Sequence, residues 1–334
     1  MRILGIGRAL PAQAVSNAQL EQLLDTSDEW IRTRTGIRER RIMREETVTG
    51  LALEAAREAL ADAGLHGRDL DMIIATTALG DDLFPSIACL VQQKLEADCP
   101  CVDLHAACTG FIYALDTADA YIKSDKARNV LIISAEGLSR VSDWTDRGTC
   151  VLFGDGAGAA VVGPGEGLMS IRLAAQTGRE LLYSASPAQP CPFTPQKGDG
   201  AWGIRMQGQE VFRFAVSSSA RDLQAAADMA GLSIADADWV LLHQANMRIL
   251  QSVRQRLGID AARMPTNIHR LGNTSSASVP MLLYDLYHSG LLQPGHILAL
   301  SAFGAGMTSG ACLIRWDKPV PLNLKDPAET LFFA

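Results

Sequence analysis

Short apolar runs alternate along the chain with stretches in which apolar residues recur at helical spacing. Residues 72–76 (MIIAT), 130–134 (VLIIS), 239–242 (WVLL) and 297–301 (ILALS) have the length and composition of buried strands. Residues 49–64 (TGLALEAAREALADAG) place apolar side chains three and four apart and stop at Gly64, which predicts a helix. After Cys108, TGFIYALDTADAYIKS carries few charges and reads as a helix buried on most sides. Asn246 to Leu257 reads as an amphipathic one. The stretch 184–203 has four prolines and no period, which suits a long surface excursion or a cap over a site. From Asp317 onward the chain lacks a strong pattern and is expected to be a docked tail.

The pattern repeats. Sliding the chain along itself by half of its 334 residues lays Ala63-Gly64-Leu65 on Ala230-Gly231-Leu232, and Asp69 and Asp71 on Asp236 and Asp238. The same offset lays the run Asn129–Gly137 on His296–Gly304, matching a strand and the turn that ends it. Two matches in one register imply a duplicated α/β unit with halves of 1–165 and 166–334. Each half should hold a mixed sheet covered by helices, and the two should pack as a pseudo-dimer.

Composition narrows the class. With 48% hydrophobic and 20% charged residues the chain can bury a large core, which excludes disorder and a small disulfide scaffold. No apolar run approaches the roughly 18 residues of a spanning helix. Gly5, Gly7, Arg8 and Pro11 interrupt any signal-peptide core, so a cytoplasmic protein without membrane contact is expected. A net charge of −7 argues against nonspecific nucleic-acid binding. Seven cysteines, an odd number, suggest free thiols, one of which could be a nucleophile.

Cys108 stands between the apolar PCVDLHAA and an apolar helix, which puts its sulfur at a helix N-terminus. Unpaired N–H groups there favour thiolate and are expected to lower the thiol pKa. His243 ends the run WVLL, so its imidazole should project from a strand's C-terminal end, the usual place for an α/β site. Asn273 lies in a loop of small polar residues entering a helix. Each alone has a plainer explanation: an inert buried cysteine, a satisfied core histidine, a turn asparagine. Together, with Gly304-Ala305-Gly306 supplying backbone N–H groups, they make a nucleophile, two neutral donors and an oxyanion nest, a set suited to acyl transfer.

Longer segments carry a family resemblance: Thr26–Arg40 (TSDEWIRTRTGIRER), Ala106–Gly110 (AACTG), Asp146–Thr149 (DRGT), Phe153–Ala160 (FGDGAGAA), His243–Asn246 (HQAN), and Gly272–Ser275 (GNTS) with Ala277–Pro280 (ASVP). Over nearly the whole chain to Trp316, it resembles the β-ketoacyl-[acyl-carrier-protein] synthases III, initiating condensing enzymes of type II fatty acid synthesis. The resemblance implies a thiolase-like duplicated fold, layered α-β-α-β-α, with mixed five-stranded sheets. It also implies a homodimer that needs neither metal nor cofactor, coenzyme A thioester being a substrate.

By the same resemblance, Cys108 takes an acyl group from acyl-coenzyme A, acetyl-coenzyme A or a similar primer. Malonyl-acyl carrier protein then decarboxylates to a carbanion that attacks the thioester and gives a 3-oxoacyl product. His243 and Asn273 would hold the enolate oxygen, backbone N–H groups of Cys108 and Ala305 the acyl oxyanion, and Phe303 would exclude water. Trp30 and Arg147 would sandwich the adenine, with Thr26 and Arg34 nearby and Gly208 and Asn246 along the pantetheine. Arg213, Arg248, Arg254 and Arg256 would form a basic patch for the acidic carrier protein. Phe84 would floor the partner subunit's acyl pocket. Three departures bear on pocket shape: Met307 and Ser309 replace positions that are often aromatic, and Ala305 stands where glycine is usual, so a positive φ there would be strained.

Rival readings are a nicotinamide oxidoreductase, from Gly5-Ile-Gly7 and Gly154–Gly158, and a zinc site from Cys99, Cys101, His105 and Cys108. Others are a non-catalytic binding protein and a related synthase of secondary metabolism with another acyl chain or acceptor.

Overall fold

The computed structural model describes residues 1–185 and 203–333. The proline-rich stretch expected to be an excursion or cap lies almost wholly outside the described residues. Nine strands build two sheets. The first holds β1 (Arg2–Ala9), β2 (Met72–Thr76), β3 (Cys101–Asp103), β4 (Val130–Gly137) and β5 (Asp155–Gly163), in the order β1-β5-β4-β2-β3. The second holds β6 (Leu168–Ala175), β7 (Trp239–Leu242), β8 (Ile297–Gly304) and β9 (Thr308–Arg315), in the order β6-β9-β8-β7. In each, the first two pairings in that order are antiparallel and the next is parallel.

The second sheet has four strands where five were expected. Between β7 and β8 the chain forms only the short strand Pro265–Thr266, which pairs with Phe332–Phe333 of the tail. Proline has no N–H to give a sheet ladder, and the tail occupies the position's other edge. The tail is docked elsewhere too, with the Lys318 ammonium on the Leu4 carbonyl at 2.6 Å and the Lys325 N–H on the His288 carbonyl at 2.7 Å.

Six helices matter for the site: α1 (Asp28–Thr35), α2 (Val48–Ala63), α3 (Gly110–Lys123), α4 (Gly208–Met229), α5 (Met247–Leu257) and α6 (Ser278–His288). α2 covers the outer face of the first sheet, while α4 and, beyond it, α5 cover the second. α3 and α6 lie between the sheets and touch both, which completes the α-β-α-β-α layering. Their central position explains their composition: Phe111, Ile112, Leu115, Leu282, Leu283 and Leu286 are all fully buried in a core shared with strands of both sheets. α2 starts at Thr47, whose hydroxyl accepts from the Gly50 N–H, and ends at Gly64 with φ 67°, a left-handed cap that glycine adopts without strain. Among the described residues, no helix is long and apolar enough to cross a membrane.

The glycines behind the dinucleotide rival are packing glycines. A Cβ on Gly7 would sit 2.1 Å from the Ala55 carbonyl oxygen of α2, and one on Gly158 would sit 2.9 Å from Pro280 of α6. Strand and helix approach too closely there for a phosphate or any side chain. Gly7→Ala should therefore cost about 1–3 kcal/mol or more by overpacking. Denaturant unfolding would register this as a lower midpoint, and an unchanged midpoint would refute the close packing.

Candidate active site

Cys108 lies on a single 3₁₀ turn, Ala107–Thr109, that leads directly into α3. Ala107 is left-handed at φ 47°, an unusual conformation for a residue with a Cβ, so the turn is tight and held from outside. Two contacts hold it. The Thr109 hydroxyl bonds the Ala106 carbonyl at 2.5 Å and the Thr308 hydroxyl at 2.7 Å. Gly304, the last residue of β8, lies so close that a Cβ on it would be 2.8 Å from the Cys108 nitrogen. This closeness requires glycine, and it fixes the Cys108 backbone against the end of the second sheet.

The thiol differs from expectation. Burial pushes it up to about 12, with the Ser275 hydroxyl pulling the other way and the nearby Glu136 carboxylate adding to the rise. The helix end does not prevail because the half-buried residue sits at the floor of a deep cavity beside the second sheet, where desolvation disfavours thiolate. The resting site therefore holds a protonated thiol at neutral pH.

His243 follows β7 and extends its ladder by donating its N–H to the Ser301 carbonyl at 2.8 Å. Its ring is buried, lies edge-on to Phe303 with centroids 5.2 Å apart, and burial pushes its pKa down to about 3. The ring is therefore neutral. Nδ1 meets the Ser278 hydroxyl at 2.6 Å, and the same hydroxyl oxygen accepts the Gln244 N–H at 3.3 Å. With one lone pair of the Ser278 oxygen taken by Gln244, the arrangement that uses the hydroxyl proton has it donated to Nδ1, with the ring hydrogen on Nε2. His243 is a donor toward the cavity.

Asn273 is fixed on three sides. Its N–H donates to the Leu152 carbonyl at 2.8 Å, its carbonyl accepts from Gly154 at 3.0 Å, and its Oδ1 accepts from the Ser275 N–H at 2.9 Å. Asn273 thus has its turn role, and its Nδ2 amide remains as a donor. Ala305 escapes the anticipated strain: the left-handed residues of this turn are Gly306, at φ 74°, and Met307, at φ 48°.

Cys108, His243, Asn273, Phe303 and Ala305 line one cavity of about 1300 Å³ together with Trp30, Arg34, Gly208, Arg213, Asn246 and Arg248. The Arg34 guanidinium lies 4.8 Å and that of Arg147 5.5 Å from the Trp30 ring centroid. Arg147 is held there by the backbone carbonyl and carboxylate of Asp25. Asn246 caps α5 by accepting from the Arg248 N–H at 2.9 Å, and Gly208 opens α4 with free space where a Cβ would stand.

Other expected residues are not brought in. Thr26 is off the cavity, and its buried hydroxyl lacks a partner. Of the four arginines, Arg213 and Arg248 line the cavity, Arg256 shares an adjoining groove with Arg213, and Arg254 lines neither. Phe84 does not line this chain's own cavity and is 85% exposed. The zinc rival does not assemble, since the Cys101 sulfur meets that of Cys89 at 2.9 Å while Cys108 faces the cavity. Among the described residues, no group of three or more His, Cys, Asp or Glu is placed to hold a metal. Ser275, Ser278 and Glu136 were not anticipated. Glu136 does leave a signal, as a lone charge closing the apolar run VLIISAE.

Comparison with known proteins agrees with this geometry. The model of the family described as 3-Oxoacyl-[acyl-carrier-protein (ACP)] synthase III matches residues 102–177, and that of its C-terminal part matches residues 227–316. The β-ketoacyl-[acyl-carrier-protein] synthase III of Aquifex aeolicus is 44% identical over 94% of this chain and 99% of its own length. The chain belongs to the β-ketoacyl-[acyl-carrier-protein] synthase III family. The family protein of Rhizorhabdus wittichii is 46% identical over 94% of this chain and 98% of its own. The crystal structure of the Aquifex synthase III superposes with a TM-score of 0.88, covering 94% of this chain and 99% of that one. The priming β-ketosynthase of the R1128 polyketide pathway, 35% identical, reaches 0.90 over 95% and 96%. The fold is thus the thiolase-like one of the synthase III family.

The depressed histidine has a checkable sign. Because the folded pKa, about 3, lies below the unfolded value of about 6.5, the unfolded chain binds the extra proton between them. Stability from this group is full above about pH 6.5 and lost as pH falls toward 3. In a ¹⁵N-histidine NMR titration, His243 should stay neutral at pH 5 with its proton on Nε2, whereas a midpoint near 6.5 would contradict its enclosure.

Proposed function

We propose that the protein condenses a short acyl-coenzyme A with malonyl-acyl carrier protein, with loss of carbon dioxide, to a 3-oxoacyl-acyl carrier protein. The observation that carries this is the opening of one thiol and two neutral N–H donors, Cys108, His243 Nε2 and Asn273 Nδ2, onto a single cavity. In the first half-reaction the Cys108 sulfur bonds the acyl carbon and the C–S bond to coenzyme A breaks. Backbone N–H groups of Cys108 and Ala305 would hold the oxyanion. In the second, decarboxylation leaves a carbanion whose charge rests on the thioester oxygen, which His243 and Asn273 would hold by hydrogen bonds. That step removes no proton from carbon, so neutral donors serve it better than a charged acid or a base. The carbanion attacks the acyl-enzyme, and Cys108 is released.

Trp30 with Arg34 and Arg147 would receive the adenine, and Gly208 and Asn246 would lie along the pantetheine. Arg213 and Arg248 are the residues of the basic set best placed for carrier protein, at the cavity that its arm would enter. We further propose a cytoplasmic homodimer in which Phe84 reaches the partner's pocket, its exposure being costly in a monomer. The halves 1–165 and 166–334 are read as a duplication on the repeated strand order. The alternative of another acceptor in secondary metabolism is not favoured beside relatives at 44% and 46% identity that are named synthase III.

On incubation with acetyl-coenzyme A, intact mass should show one acetyl group on the wild type and none on Cys108→Ala. Labelling elsewhere, or none with any acyl-coenzyme A, would reject the reading. Arg147→Ala removes one cation–π contact of roughly 0.5–1 kcal/mol, so KM for acyl-coenzyme A should rise about two- to fivefold with kcat little changed. An unchanged KM would remove Arg147 from the binding site.

A further inference from the structure

The segment Thr26–Arg40 gives Trp30 and Arg34 to the cavity, but its last residue, Arg40, does not reach it. Arg40 is instead fully buried, among the largest side chains in the protein to be so. Its Nη1 donates to the Val15 carbonyl at 3.1 Å and its Nη2 to the Val151 carbonyl at 2.9 Å. Both acceptors are neutral, and among the described residues its buried Nε finds no partner. Burial lowers its pKa to about 10, which leaves it charged at neutral pH. A cation buried on neutral acceptors is costly to fold, and what this one obtains in return is a fork across two distant segments of the chain.

One of those segments is the seat of Asn273. Val151 precedes Leu152–Gly154, which grips Asn273 at both backbone groups, the Leu152 carbonyl taking its N–H at 2.8 Å and the Gly154 N–H its carbonyl at 3.0 Å. The stem of Arg40 is wedged against the same place. A Cβ on either Gly154 or Gly272 would stand 3.2 Å from the Arg40 Cβ, and one on Gly272 would also stand 3.0 Å from the Leu152 carbonyl oxygen. The strand that carries Arg40, Glu39–Arg41, pairs with Ala14–Ser16, and the Arg38 N–H beside it donates to the His269 carbonyl at 2.9 Å. His269 lies in the helical turn Ile268–Leu271, which leads into Gly272 and Asn273. Arg40 thus meets both segments that hold Asn273, with its fork on one and its stem between the two.

We propose that Arg40 is a positioning residue for the decarboxylating half-reaction: its forked guanidinium and buried stem fix the segment 151–154 and so aim the Asn273 amide at the malonyl thioester oxygen. The inference rests on the functional reading above. Acylation of Cys108 draws on backbone N–H groups of Cys108 and Ala305, which depend on a different join, that of Gly304 with the Cys108 turn. The two half-reactions therefore separate what Arg40 supports from what it does not. Lysine is no substitute, since it keeps the charge and lacks the planar fork that spans two carbonyls.

The test measures the two half-reactions apart in Arg40→Met and Arg40→Lys. Acylation is read as the acetyl mass gained in a single turnover with acetyl-coenzyme A, and decarboxylation as carbon dioxide released from carboxyl-labelled malonyl-acyl carrier protein by the acetylated enzyme. Acylation should stay within about twofold of wild type while decarboxylation falls roughly 10²-fold in Arg40→Met, the scale of an ångström's misplacement, and by less in Arg40→Lys. KM for malonyl-acyl carrier protein should change little in either. On an Asn273→Ala background, Arg40→Met should lower decarboxylation little further, because the two residues act as one. If Arg40→Met does not fold, Arg40→Lys decides by the same readouts. Equal loss of both half-reactions, through failure of both variants to fold or otherwise, would overturn the positioning role. Wild-type decarboxylation in both variants, a rise in KM alone, or a full second loss on the Asn273→Ala background would overturn it too. A wild type that neither takes up acetyl nor releases carbon dioxide overturns the functional reading instead.

Discussion

The contact on which the site depends is between backbones. Gly304 ends β8 of the second sheet, and Cys108 sits on the turn that the first sheet leads into. They meet so closely that even a methyl group on Gly304 would collide with the Cys108 nitrogen. Cys108 comes from the first half of the sequence and His243 and Asn273 from the second, and this seam brings them to one cavity. Catalytic geometry tolerates errors of well under an ångström, so a rigid join between sheets serves better than side chains reaching across a gap. The central helices α3 and α6, buried against both sheets, keep the seam from opening.

Closing the seam also sets the electrostatics. Desolvation raises Cys108 and Glu136 and lowers His243, in each case against the charged form. The polarity of the site comes from oriented N–H and O–H bonds: Ser278 on the imidazole, Ser275 on Asn273, Ala78 and Ser276 on Glu136. Such dipoles need little rearrangement when charge appears on a substrate oxygen, which is the basis of electrostatic preorganisation.

Much of this was legible in the chain. Helix α2, strands β2 and β7, and the starts of β4 and β8 follow from apolar period and punctuation. Cys108, His243 and Asn273 stand out because each ends an apolar run or enters a helix from a polar loop. What failed to show had a common cause, dependence on closure between distant segments. The thiol's rise needs the second sheet beside it. Ser275 and Ser278 look like ordinary loop and helix residues until Cys108 and His243 are set beside them. Glu136 resembles a solvent-facing turn residue, and its burial depends on residues some 140 positions later in the chain. The missing fifth strand traces to Pro265 and to a tail whose partner no local pattern discloses.

The arrangement around Trp30 has a consequence for how a ligand arrives. The indole is already occupied by two guanidinium groups, one of them leashed to Asp25. An aromatic base arriving there would meet groups already gathered at one spot by Asp25, and little side-chain freedom would be lost in receiving it.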